Sequence, residues 1–568
     1  MRILTFLLLL IFANLSAQMS STLLQKMEAG EKWPVLISFK EQATFNEWKS
    51  EWPKEQKGHY VYQQLKETAE QNQQAVIHYF AKRNISYKTF FVANVIHAEI
   101  DREAISFLQA QTGIEKISYD AHLNFQFPQT DASAIMHQRA PEITWGIQQM
   151  NVPAVWDLGI KGKGIVVAGE DTGVKWDVNG LKSKYRGFEN GQTDHNYNWH
   201  DAIHAISPLS GSPDNPCGLN VKEPCDDHSH GTHTVGTMVG STDEQLFGVA
   251  PEAQWIGCRN MERGNGALST YIECFEFFLA PHDLNGQNHN PTKAPHVINN
   301  SWYCSLEEGC DTSSYPIMER VIENLRKAGV VVVVSAGNDG ASCNTLKHIP
   351  AIYEESFTVG SVRQDLKISD FSSNGPVNNY KATRVKPNVV APGSDVLSVL
   401  PDGNFASWNG TSMAGPHVAG LVALMISANP LLSGQVERIE QIIEETATRI
   451  NSDFDCWPST GSSIPNNTFG FGFVNALAAV EKALLVVDTK QPEIAGLKMY
   501  PNPAKNYINI ELANANISEI SIQNIYGKEI FQLKNPSKLH RIVTEGWQPG
   551  LYFMTTDGSN AKSFIIEH

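Results

Sequence analysis

Five short apolar runs, at 164–169, 255–258, 297–301, 330–335 and 356–359, alternate with helical stretches such as 270–279 and 316–328. A strand that is apolar along its whole length is buried on both faces, and the helices between such strands supply the cover. The middle of the chain is therefore predicted to fold as an α/β domain with a doubly wound parallel sheet. In an open sheet of this kind, chemistry collects beyond the carboxyl ends of the strands. Two polar segments fall there. Asp171-Thr172-Gly173 follows the first run, and Ala336-Gly337-Asn338-Asp339-Gly340 follows the fourth.

Two further motifs carry reactive side chains. His230-Gly231-Thr232-His233 opens a helical run. Gly410-Thr411-Ser412-Met413-Ala414-Gly415-Pro416-His417 places Ser412 in a small-residue turn before the apolar run 418–426, which reads as a buried helix. Unpaired backbone N–H groups at a helix start favour a developing anion. A serine hydroxyl attacks well only if a base takes its proton. His230 is the natural base, Asp171 would fix its tautomer, and Asn338 would donate to an oxyanion beside the backbone N–H of Ser412. Taken singly, an Asp at a strand end is often a cap and a Ser in a glycine-rich turn is often a turn residue. Taken together, in the order Asp, His, Ser, they point to nucleophilic hydrolysis.

That order and these motifs resemble the subtilisin-like serine proteases (the subtilase, peptidase S8 family). The resemblance runs over about 145–485 and includes Gly470-Phe471-Gly472-Phe473-Val474-Asn475-Ala476, which is similar to the family's closing segment. It implies Asp171, His230 and Ser412 as catalytic residues and Asn338 as the oxyanion donor. Ser301-Trp302-Tyr303 resembles the segment whose backbone pairs with a peptide substrate. Ser301, Trp302, Ser335, Ala336 and Gly337 are then the implied substrate-binding residues, flanking the pocket for the residue before the cleaved bond. A glycine commonly stands where Tyr303 does. Tyr303 either narrows that pocket or turns outward.

Other residues are read more plainly. Glu170 precedes the catalytic Asp where an apolar residue is usual. Strand neighbours point to opposite faces, so Glu170 does not share the role of Asp171, and Arg259 is a conjectured neutralising partner. His233 and His417 read as packing or hydrogen-bonding residues. Asn198-Trp199-His200-Asp201 and Cys225-Asp226-Asp227-His228 are rich in acids and His but lack convincing ligand spacing, so no metal site is assigned. The chemistry needs no cofactor. Structural calcium is implied by the resemblance alone, with no ligand nominated.

The ends carry targeting signals. Arg2, an apolar stretch at 4–12 and the small residues near Ala17 read as an export signal over 1–17. Residues 18–139 follow as a further unit. Strands at 33–40 and 114–119, one or two strands over 89–100, and helices at 60–83 and 101–111 suggest a β-α-β-β-α-β ferredoxin-like α+β unit, similar to the inhibitory propeptide that precedes subtilases. Residues 126–139 read as a linker and processing zone. Eight cysteines suit an oxidising compartment, and Cys217–Cys225 and Cys304–Cys310 are expected as local pairs. The partners of Cys258, Cys274, Cys343 and Cys456 stay open.

The catalytic domain is placed at 140–487 and a tail at 488–568. The tail is strand-rich with turn signals and is expected to be an all-β sandwich. Met499-Tyr500-Pro501-Asn502-Pro503, Ile525-Tyr526-Gly527 and Gly550-Leu551-Tyr552-Phe553 resemble the C-terminal sorting domain of the type IX secretion system of Bacteroidetes. The alternative is an ordinary β-sandwich appendage that binds glycan or protein. The formal charge of −16 argues against nucleic acid as a partner. No apolar run after the N-terminus is long enough to span a bilayer. These readings converge on a serine endopeptidase that is secreted or held at the cell surface. It would reach there through the periplasm of a Gram-negative, Bacteroidetes-like bacterium. Its partners would be protein or peptide substrates, its own propeptide and outer-membrane secretion machinery. The alternative is a surface-displayed binding or adhesion protein on the same scaffold, against which the complete set of four motifs argues.

Overall fold

Val166–Asp171 (β1) is buried at every residue, as a strand covered on both faces must be. In this computed structural model β1 lies within a seven-stranded sheet. The structure describes residues 18–28, 31–124, 136–137, 143–243, 245–305, 310, 312–453, 455–486, 497–512, 517–525, 527–556 and 559–567. The other six strands are Trp199–Asp201 (β2), Gln254–Arg259 (β3), Val297–Asn300 (β4), Val331–Ser335 (β5), Phe357–Val362 (β6) and Val389–Pro392 (β7). They lie in the order β2-β3-β1-β4-β5-β6-β7, all parallel. β2 and β7 are the two edges. Runs of three and four residues are too short to show a pattern in sequence, so local periodicity marks neither.

The sheet sorts its side chains by alternation. Val167, Val297 and Val333 face a core that includes His230–Val239 (α1) and Thr411–Ala428 (α4). Ala168, Ile298, Val332 and Val334 face Leu268–Leu279 (α2) and Tyr315–Lys327 (α3). Among the described residues α4 alone is long and apolar enough to cross a membrane, but 89% of that window is buried inside the protein. It is the central helix of the core.

Upstream, the strands Lys32–Phe39, Tyr87–Phe90, Val95–Asp101 and Ile114–Tyr119 form an antiparallel sheet with helices Lys54–Lys82 and Arg102–Gln109. The four strands lie in the spatial order fourth, first, third, second. This unit has its own core around Val35, Ile37, Phe80 and Ile105. It also shares one with the catalytic domain, where Leu36, Val61, Leu65 and Val92 meet α2 and α3. Polar contacts tie the seam: Trp48 Nε1 donates to Lys327 O at 2.9 Å, and Val92 N to Glu276 Oε2 at 2.9 Å. Residues 1–17, read as an export signal, lie outside the described residues. So does 126–139 except for Met136–His137, which pairs antiparallel with Phe405–Ala406.

The tail comprises a three-stranded and a four-stranded antiparallel sheet. Ile508, Ile510 and Ile542 of the first and Ile520, Ile522, Met554 and Phe564 of the second form one core. All eight cysteines are paired. Cys217–Cys225 and Cys304–Cys310 are joined as the loop spacing suggests, while Cys258–Cys274 ties β3 to α2 and Cys343–Cys456 closes a separation of 113 residues.

Candidate active site

Asp171 is the last residue of β1, His230 the first of α1 and Ser412 the second of α4. Asn338 lies three residues beyond β5. The fold thus delivers all four motifs to the carboxyl ends of the strands.

The Nδ1–H of His230 donates to both carboxylate oxygens of Asp171 at 2.8 Å, and both side chains are buried. Asp171 is itself fixed, accepting from Thr172 N at 2.7 Å and from Thr234 Oγ1 at 3.4 Å. The approach of α1 to the turn after β1 is so close that a Cβ on Gly231 would lie 2.0 Å from Gly173 O. Only glycine fits at 231. The helix start is capped by Asp226, which accepts from Ser229 N at 2.8 Å, Thr232 N at 2.9 Å and Thr172 Oγ1 at 2.9 Å. Burial pushes the Asp226 carboxyl up, against the pull of these bonds. The acid-rich stretch at 225–228 is therefore a helix cap. An Asp just upstream of a helical run is the signal that would have exposed it. Among the described residues, no group of three or more His, Cys, Asp or Glu side chains is gathered to hold a metal ion.

Ser412 sits where α4 begins. Pro416, inside the helix, has no N–H to give the carbonyl of Ser412. Ser301 Oγ takes over that duty, donating to Ser412 O at 2.8 Å, and is steadied by Asn299 Nδ2 at 2.9 Å. Ser335 Oγ likewise donates to Thr411 O at 3.0 Å. The ends of β4 and β5 thus clamp the first turn of α4. The Ser412 hydroxyl donates to Ser301 O at 3.1 Å.

Asn338 is oriented by Thr411. Its Oδ1 accepts from Thr411 N at 2.9 Å and Thr411 Oγ1 at 3.0 Å. Its Nδ2 is buried and has no hydrogen-bond partner among the described residues. Trp408 lies flat on His233, with centroids 4.5 Å apart, and beside His230 at 6.2 Å. His233 donates to Ala406 O and His417 to Met413 O. Burial holds their pKa values at about 3 and about 4.

The conjectured Arg259–Glu170 pair does not form. The register sets Cys258 beside Glu170 and Arg259 beside Asp171, so the arginine leaves the sheet on the other face. There it pairs with Asp201 at 2.8 Å and Asp227 at 3.3 Å. Glu170 accepts from Asn260 Nδ2 at 2.7 Å, and burial holds its carboxyl well above the ordinary range. Tyr303 turns inward, 7% exposed. Trp302 is fully buried and stacks on Tyr271 at 3.9 Å.

Fold and site together define the scaffold of a subtilisin-like serine protease. Residues 162–472 match the family profile described as the subtilase family, and the chain belongs to that family. Residues 498–567 match the secretion system C-terminal sorting domain, which marks the chain for secretion or cell-surface display in Bacteroidetes-like bacteria. Bacillopeptidase F of Bacillus subtilis (strain 168) is 32% identical over 503 residues, covering 82% of this chain but 32% of that protein. The chain thus spans about a third of that relative's length. Subtilisin E of the same organism is 26% identical over 398 residues, covering 69% of this chain and 82% of that protein. The solved epidermin leader peptide processing serine protease of Staphylococcus aureus shares the fold. It has a TM-score of 0.57 and 17% identity, over 81% of this chain and all of that one.

Proposed function

We propose that this chain is a secreted endopeptidase that cuts peptide bonds through an acyl-enzyme on Ser412. One observation carries the reading. Asn338 Nδ2 is buried without a partner while the rest of its amide is fixed on Thr411. An unmet buried donor costs about 1–3 kcal/mol, and a substrate oxygen arriving beside Ser412 would meet it. The His230–Asp171 pair supplies the base. With Nδ1–H committed to Asp171, Nε2 is the accepting nitrogen. Ser412 turns from Ser301 O, gives its proton to His230, and its oxygen bonds to the peptide carbonyl carbon. The carbonyl oxygen becomes an anion held by Asn338 and the start of α4. As the C–N bond breaks, His230 returns the proton to the departing amine. Water then repeats the cycle and releases the acid.

The N-terminal unit is proposed to act as the inhibitory propeptide. Its strand His122–Asn124 pairs antiparallel with Asn265–Ala267, and Asn124 Nδ2 donates to Asn265 Oδ1 at 2.7 Å. The two segments form a two-stranded sheet of their own, and backbone pairing of an extended segment with a strand is a common mode of peptide recognition.

A fluorophosphonate probe tests the central claim. It is expected to label the purified secreted protein at Ser412, with label and caseinolysis both lost in Ser412→Ala. A Ser412→Ala protein that still digests casein at the parent rate overturns it.

A further inference from the structure

We infer that Tyr303, locked by His348 and Asp339, closes the pocket for the residue before the cleaved bond, so that alanine, glycine or serine is accepted there and phenylalanine, tyrosine or leucine is not. The inference rests on the protease reading and names the substrate class of that same site.

The reacting carbonyl must reach two atoms at once, Ser412 Oγ and Asn338 Nδ2. Ser412 Oγ is 3.1 Å from Ser301 O, so the chain after Ser301 forms one wall beside that hydroxyl. The chain after β5, which carries Asn338 and follows the strand next to β4, forms the other. The side chain of the residue being cut must enter between these two walls. Tyr303 belongs to the first wall, two residues beyond Ser301. Its ring lies on His348 with centroids 4.9 Å apart and planes 13° from parallel. His348 Nε2 is 2.5 Å from Asp339 Oδ2, and Asp339 immediately follows Asn338. A continuous bridge of side chains therefore runs from one wall to the other.

The bridge is anchored. His348 is 5% exposed and Tyr303 is 7% exposed. Cys304 N donates to Ile349 O at 2.9 Å, so the backbones carrying the two rings are themselves joined. The Cys304–Cys310 disulfide fixes the chain just beyond Tyr303. Burial pushes the Asp339 carboxyl up, but the bond and charge of His348, with Lys347 at 3.7 Å, outweigh it and hold Asp339 below its ordinary value. Asp339 thus stays an ionised acceptor for His348. Swinging Tyr303 aside would break the stacked pair with His348 and expose an aromatic ring. A bulky substrate side chain would have to supply that cost.

The test compares kcat/KM for peptides that differ only before the cleaved bond, as Ala, Leu or Phe, using protein secreted from the full chain. Active sites are counted by fluorophosphonate titration. The parent is expected to prefer Ala to Phe at least tenfold. Tyr303→Gly is expected to raise the Phe/Ala ratio by about 10–200-fold, the range over which a pocket discriminates by size. His348→Ala, which leaves Tyr303 without its support, is expected to raise it less. A parent that cuts after Phe as readily as after Ala overturns the inference, as does an unchanged ratio in a Tyr303→Gly protein that still takes the probe. If Tyr303→Gly takes no probe, His348→Ala decides; if neither variant does, the parent's own preference decides. A parent that takes no probe removes the protease reading itself, which is a different result from a labelled parent with a preference for Phe.

Discussion

Asn338 owes its orientation to one neighbour. With Oδ1 bonded to Thr411 N and Oγ1, the amide is held against the residue before Ser412 and its Nδ2 is left buried with no partner among the described residues. Such a donor contributes chiefly in the transition state. Asn338→Ala is expected to lower kcat by about 10²–10³ with little change in KM, the range by which loss of one oxyanion-hole donor slows subtilisin. Steady-state kinetics checks it, and a change confined to KM would make the residue structural. His417 offers a second residue-level test. Its pKa of about 4 in the folded protein lies below its ordinary 6.5, so the unfolded chain takes the proton first. This contribution is whole above pH 6.5 and is lost as pH falls toward 4, a difference on the order of 3 kcal/mol. Asp227 and Glu276, held up by burial to about 6 and about 8, act in the opposite sense and gain as pH falls. The comparison that isolates His417 is therefore the melting temperature of His417→Gln against the parent from pH 7 to 4. The variant should show the shallower fall.

At the scale of elements, α4 is unusual in needing help at its start. Pro416 leaves the Ser412 carbonyl without its helical donor, and the Ser301 hydroxyl at the end of β4 replaces it. Ser301→Ala would leave that carbonyl buried and unpaired. We expect a stability loss of about 1–3 kcal/mol by denaturant titration, together with a fall in kcat because Ser412, the proposed nucleophile, rides on the same turn. Full activity at reduced stability would separate the clamp from catalysis.

At the scale of the molecule, the N-terminal unit meets the catalytic domain along α2 and α3 and at Asn265–Ala267. Since that unit has a core of its own, residues 18–124 supplied as a separate polypeptide should inhibit the mature enzyme at micromolar concentration, in competition with peptide substrate. Inhibition that ignores substrate concentration, or none at all, would place its action elsewhere. The tail lends its family's address to the whole chain.

Local pattern was enough to announce the parallel sheet, the central strands β1, β3, β4, β5 and β6, and the chain order of Asp171, His230 and Ser412, because burial on two faces and helix starts write themselves into neighbouring residues. It was also enough to mark the pairs Cys217–Cys225 and Cys304–Cys310, but not Cys258–Cys274, which joins a strand to a helix. It did not reach β2 and β7, whose few residues are held by the sheet and not by their own periodicity. Nor did it reach the Cys343–Cys456 bond across 113 residues, or the turn of Arg259 toward Asp201, which the register of β3 on β1 decides. Whether Tyr303 pointed in or out was open in sequence, because nothing within a few residues of it sets the choice. His348, 45 positions further on, does so by stacking on the ring, and the chain meets itself there only once the sheet has formed.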